Sequence, residues 1–257
     1  MAKEMIEKPV RRLALVGESG RVSPELLRLA ALFAEPARVD ELLGLFVEDA
    51  MLLRAAALPV TREIGVVSGK VRELEPGGVL ALMQRQADIL RQQLAAMAAE
   101  LQLPLSFRIA RGRLFEQAMM LLPTVDLLFL CGRQAGAPRT RPAIARDGTI
   151  SALIEPGTEV ERVIDAAWRL AGGRVERLLI IMPANAGVTS NAVRQLVAGR
   201  IGVRPESVHV VAYSGAIEDL PQAMRRYQSS VLVLSAAAAG ALTEELGALL
   251  ESLLFVS

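Results

Sequence analysis

The residues of this chain that could do chemistry sit where apolar runs end. Gly17-Glu18-Ser19-Gly20 directly follows such a run and leads towards a helix start. Glycines there let backbone N–H groups approach an anion, and a helix N-terminus favours negative charge. Glu18 adds an acid that could contact a ligand. Gly132-Arg133-Gln134-Ala135-Gly136 follows another apolar run, and Arg139, Arg141 and Arg146 lie just beyond it. Guanidinium groups gathered there could hold a phosphate. Glu155-Pro156-Gly157 has the same place in the second half of the chain as Glu18-Ser19-Gly20 in the first. Each group also has a plain structural reading, as a strand-to-helix turn or as a solvated loop in an arginine-rich protein. The tetrapeptide Gly17–Gly20 lacks the Gly-Lys-Ser/Thr ending of a phosphate loop.

Other chemistries are narrowed by composition. The single cysteine, Cys131, excludes an intramolecular disulfide and a cysteine zinc site. It ends an apolar strand and reads as a buried, inert thiol. The single histidine, His209, excludes sites that need two, and its place in the strand Val208–Ala212 suits a core or edge residue better than a ligand. Trp168 reads as packing on the apolar side of its helix. No pair of carboxylates stands out as an acid–base couple. Lys plus Arg is 29 against 28 for Asp plus Glu, so the basic excess of a general nucleic-acid binder is missing. No stretch approaches the roughly 18 uncharged apolar residues of a membrane span, and Met1–Arg12 has no apolar core of signal-peptide length. The expectation is a cytoplasmic protein that binds neither nucleic acid nor membrane. With 52% hydrophobic and only 4% aromatic residues, its cores are aliphatic.

The elements that position these residues occur twice. Glu18-Ser19-Gly20 leads to the helix 24–34, and Glu155-Pro156-Gly157 leads to the helix 161–171. Gly112–Leu130 is echoed by Gly215–Leu234. A repeat this long marks a duplicated domain rather than a solenoid unit. The first copy reads as strand Leu13–Gly17, helix from Pro24 to Ala34 with Ser23 as cap, and strand Leu42–Val47. A short helix and loop follow over Asp49–Ile64. The helix Gly78–Leu101 comes next, with Leu80, Met83, Ala87, Leu90, Leu94, Met97 and Leu101 at spacings of three and four. That stripe suits a helix laid on a sheet better than a coiled coil, because it does not continue into further heptads. Strand Leu105–Ile109, helix Phe115–Leu122 and strand Leu127–Cys131 complete the copy.

The second copy repeats the order: strand Ile150–Ile154, helix Val160–Ala171, strand Leu178–Met182, helix Ser190–Arg200, strand Val208–Ala212, helix Leu220–Tyr227, strand Val231–Leu234, helix Thr243–Leu250 and strand Leu253–Val256. The alternation implies parallel sheets with helices on both faces. The expectation is an α/β fold of two Rossmann-like open parallel sheets in tandem, 11–147 and 148–257, the second copy degenerate. Pro142-Ala143-Ile144-Ala145 reads as a fifth strand of the first copy, and Asp147-Gly148 as a hairpin turn into Thr149-Ile150-Ser151.

The strand Leu13–Gly17, the stretch Leu43-Gly44-Leu45-Phe46-Val47-Glu48-Asp49, and Phe107-Arg108-Ile109-Ala110-Arg111-Gly112 with its following helix and strand Asp126–Gly132 together resemble the universal stress protein family. The resemblance covers nearly the whole chain and implies a tandem member. It implies a Rossmann-like fold, pairing through the last strand, and, as in some members, ATP held by an acid ending the first strand and a glycine loop after the fourth. Glu18 stands where the family usually has Asp. Gly132 and Gly136 are separated by three residues rather than two, no Gly-Ser or Gly-Thr follows at the right distance, and Ser235–Gly240 has no glycine pair. The expected function is therefore a non-enzymatic stress-response or regulatory binding module without a cofactor, its nucleotide sites degenerate. It would be a homodimer or an internal pseudo-dimer, open to a protein partner. The alternative is an ATP or AMP switch in the first copy, with Gly17, Glu18, Ser19, Gly132, Arg133 and Gly136 at the nucleotide. An enzyme of the wider adenine-nucleotide class would need a catalytic group that the sequence does not display.

Overall fold

The computed structural model describes residues 12–18, 24–34, 39–59, 61–65, 68–131, 148–155, 159–216, 219–241 and 252–256. The first apolar run forms β1 (Arg12–Gly17), with Leu13 to Val16 fully buried. Pro24 opens α1 (Pro24–Ala34), as a proline suits the first helical turn. β2 (Glu41–Asp49) follows. Asp49 ends it and caps α2 (Ala50–Ala56), its carboxylate accepting from the N–H groups of Met51 at 2.8 Å and Leu52 at 3.0 Å. Beyond α2, where a loop is expected, β3 (Arg62–Ile64) and β4 (Val71–Glu73) form a separate antiparallel pair.

The helical stripe is α3 (Pro76–Leu101), which buries Val79, Met83, Ala87, Leu90, Leu94, Met97 and Ala98. It lies on the sheet, as its lack of further heptads predicts. Gly44 of β2 is what lets it approach: a Cβ there would stand 2.5 Å from Leu94 Cδ1 and 2.7 Å from Phe107 Cδ2. Then come β5 (Leu105–Gly112), α4 (Leu114–Leu121) and β6 (Leu127–Cys131). The second half runs through β7 (Thr149–Leu153), α5 (Val160–Leu170), β8 (Leu178–Pro183), α6 (Ser190–Ile201), β9 (His209–Tyr213), α7 (Leu220–Arg226), β10 (Ser229–Ser235) and β11 (Ser252–Val256). The helix expected over Thr243–Leu250 lies outside the described residues.

Among the described residues, the main strands join in one nine-stranded sheet, ordered β5-β2-β1-β6-β11-β10-β7-β8-β9. Within each half the strands run parallel in the Rossmann-like order third-second-first-fourth. The expected two sheets thus meet edge to edge. Their junction is β11, parallel to β10 and antiparallel to β6. This corrects the expected hairpin at Asp147-Gly148. A hairpin sets consecutive strands side by side and antiparallel, whereas both neighbours of β7, namely β8 and β10, run parallel to it. The strand expected at Pro142–Ala145 lies outside the described residues, and β6 has β1 on one side and β11 on the other.

Alternate strand residues face opposite cores. Leu13, Leu15, Phe46, Phe129, Ile150, Ile180 and Val233 pack under α1, α3, α5 and α6. Ala14, Val16, Leu130, Leu153, Ile181, Leu234 and Phe255 pack under α4 and α7. The first core is continuous across the junction. Phe33 of α1 meets Phe129 edge-on with ring centroids 5.9 Å apart, and the Arg169 guanidinium of α5 lies 5.7 Å from the Phe33 centroid.

Phe255 of β11 is fully buried. Phe255→Ala should cost about 3–5 kcal/mol through lost burial and an unfilled cavity. Because both halves share this strand, urea unfolding followed by circular dichroism should keep a single transition at a lower midpoint. Two resolved transitions would show that the halves unfold independently.

Candidate functional site

In open α/β sheets, ligands bind outside the carboxyl ends of the strands, where the order reverses. Because β11 is antiparallel to β6 and parallel to β10, the two halves run in opposite directions. The carboxyl ends of β1, β2, β5 and β6 lie at one end of the sheet, and those of β7 to β10 at the other. The chain therefore has two candidate edges that cannot merge into one site.

At the first edge, β1 lies between β2 and β6, and Gly17 is in register with Phe46 and Cys131. Glu18 follows it, half-buried. Cys131 is 7% exposed, and burial pushes its thiol up to about 12, so it stays protonated at neutral pH and fits an inert core residue. Ser19, Gly20, Gly132, Arg133 and Gly136 lie outside the described residues, as do Arg139, Arg141 and Arg146. Of the six residues expected at a nucleotide, Gly17 and Glu18 are the two that the structure places.

One further pair shapes this edge. Glu48, near the end of β2, is 8% exposed. Its Oε2 accepts from Arg111 Nε at 3.1 Å and Nη2 at 2.9 Å. The two residues stand opposite each other in the β2–β5 ladder. A cross-strand ion pair of this kind has no local sequence signal, because 63 residues separate its members.

The second edge is described more fully. Glu155 stands two residues beyond β7, and Tyr213 ends β9. The Tyr213 hydroxyl donates to Glu155 Oε1 at 3.5 Å, so the phenol reaches past the end of β8. Burial raises the Glu155 carboxyl pKa, and the tyrosine hydrogen bond partly offsets that. Tyr213 is pushed up to about 12 by burial first, then by the nearby Glu155 charge and the shared hydrogen bond. Sequence reasoning singled out Glu155 but missed Tyr213.

The turn after β10 closes on itself. Ser235 is 2% exposed, and its hydroxyl accepts from the Ala238 N–H at 3.1 Å. The Ala236 N–H donates to the Val256 carbonyl at 2.7 Å, and the Ala239 N–H donates to the Ala236 carbonyl at 3.2 Å. A phosphate cradle needs such N–H groups aimed at the ligand; here these three bond within the protein. Asp219 accepts from the Ser214 hydroxyl in the neighbouring loop.

Among the described residues, no group of three or more His, Cys, Asp and Glu side chains could hold a metal ion, and no helix is long and apolar enough to cross a membrane. His209 lies exposed on the edge strand β9 and packs edge-on against Tyr227, with centroids 5.5 Å apart. Trp168 packs partly buried against the first core.

No family model matches the sequence, and no curated protein matches it. Among solved structures, the chain is similar to a universal stress protein from Archaeoglobus fulgidus, at 9% identity and a TM-score of 0.46, over 95% of this chain and 96% of that one. It is also similar to a protein assigned to the universal stress proteins from Pseudomonas aeruginosa, at 14% identity and a TM-score of 0.46, over 96% of this chain and 93% of that one.

Two expectations follow. Arg111→Ala strips a buried carboxylate of its partner and should cost about 1–3 kcal/mol in urea denaturation, with Arg111→Lys recovering part of the loss. Glu155, its folded pKa raised above the ordinary 4.5, favours folding in its neutral form. Its contribution is full below pH 4.5 and is lost as pH rises through the folded pKa. Glu155→Gln should therefore gain stability over the native protein as pH rises from about 4 to about 7. Parallel unfolding midpoints would show that Glu155 is not desolvated.

Proposed function

We propose that this chain is a non-enzymatic binding module of the universal-stress type, acting in stress response or regulation in the cytoplasm. Its two domains, 11–147 and 148–257, form an internal pseudo-dimer about a common sheet. The observation that carries this reading is that polar groups at both carboxyl edges are bonded to one another. Glu48 holds Arg111, Glu155 holds Tyr213, and Ser235 holds the Ala238 N–H. Catalysis calls for groups aimed at the position of a reacting atom.

A second reading gives the first half an ATP or AMP site built from Gly17, Glu18, Ser19, Gly132, Arg133 and Gly136. It is favoured by the position of Glu18, at the end of β1 where the strand order reverses.

Titration of the purified chain with ATP and Mg²⁺ at millimolar concentration, read by thermal shift, separates the two, because a ligand that binds only the folded state raises its apparent stability. The first reading expects an unchanged Tm and no ATP turnover. A rise in Tm that Glu18→Ala abolishes selects the second. Turnover above the rate in buffer overturns both. Light scattering should give the mass of one chain, since β11 already joins the two inner strands; the mass of two chains would show that the joined halves pair further as a homodimer.

A further inference from the structure

We propose that Tyr213 closes the second carboxyl edge to a planar, nucleoside-sized ligand. The inference rests on the reading of these edges as the ligand-binding ends of the two halves.

The two edges match residue by residue. Val16 and Leu153 face the same core, and Glu18 and Glu155 each stand two residues further on. Both acids lie just past the ends of their strands, Glu18 one residue beyond β1 and Glu155 two residues beyond β7. Ala110 of β5 and Tyr213 of β9 also contribute to that core. Each stands two residues before a glycine, Gly112 or Gly215, and each is in register with the second strand of its half, opposite Val47 or Pro183. Tyr213 and Ala110 thus hold equivalent positions, and so do Glu155 and Glu18.

The difference between them is one aromatic ring. The Tyr213 side chain crosses the end of β8 and meets the Glu155 carboxylate, and the residue is only 7% exposed. The ring fills the space that a planar ligand would need to reach the acid at the end of β7. The methyl group of Ala110, at the equivalent position of the first half, spans no such distance. The turn after β10 supports the assignment independently: the N–H groups of Ala236, Ala238 and Ala239 already have partners, so that turn presents none of them to a ligand.

The test has two arms. In the first, the Glu155 carboxyl is titrated by carbon-detected NMR in the native chain and in Tyr213→Phe, which keeps the ring and the packing. Loss of the hydroxyl should move the Glu155 titration to higher pH, since that hydrogen bond favours the charged form. An unmoved titration overturns this closure. In the second arm, adenosine is titrated into the native chain, Tyr213→Ala and Ala110→Tyr, with amide shifts read at Glu18 and Glu155. Tyr213→Ala should gain a saturable site at Glu155, and Ala110→Tyr should lose any response at Glu18. A folded Tyr213→Ala with no response at Glu155, or a native chain that responds there, overturns the proposal. If the native chain gives no response at Glu18 while Tyr213→Ala gains one at Glu155, the nucleotide reading of the first half fails and the role of Tyr213 stands.

Discussion

The structure depends on one five-residue strand. β11 bonds along both of its sides, to β10 in parallel and to β6 in antiparallel register. Without it, each half would end in a fully buried apolar strand with a row of unpaired backbone groups, a template for aggregation. One strand satisfies both edges because its two neighbours run in opposite directions. Leu253, Leu254 and Phe255 are all within 1% of complete burial, and they tie together the cores on the two faces of the sheet. The contact of α1 with α5 through Phe33, Phe129 and Arg169 reinforces the same junction.

That pairing also fixes where the two carboxyl edges lie. Reversing strand direction at β11 puts the two carboxyl edges at opposite ends of the sheet. They also differ. The second edge is held by a carboxylate–phenol contact and by a turn whose N–H groups bond inward. The first edge is held one strand over, by the Glu48–Arg111 pair, and Glu18 stands at the reversal of strand order. Two halves of one topology thus carry different side-chain contacts at their carboxyl edges.

Much of the fold was legible along the chain because local physics governs it. Uninterrupted apolar runs such as Leu127–Cys131 became strands buried on both faces. The three-and-four spacing from Met83 to Met97 became the buried stripe of α3. The main miss within a copy was the β3–β4 pair, whose three-residue strands include the exposed Ile64 and Val71 and so show no clear alternation. The hairpin expected at Asp147-Gly148 failed for a different reason. A turn signal reports local bending, but the partner of a strand is chosen by whichever edge is available, and β10 and β8 took both edges of β7.

The sequence by itself determined the type and order of most elements and the aliphatic make-up of the cores, because each follows from residues within a few positions of one another. Tertiary structure alone decided that the halves share one sheet, that the last strand completes both, and that their carboxyl edges point apart. It also decided the Glu48–Arg111 and Glu155–Tyr213 contacts, whose members lie 63 and 58 residues apart. Contacts of that span form only when strand register brings their ends together, and register is a property of the assembled sheet rather than of any one segment.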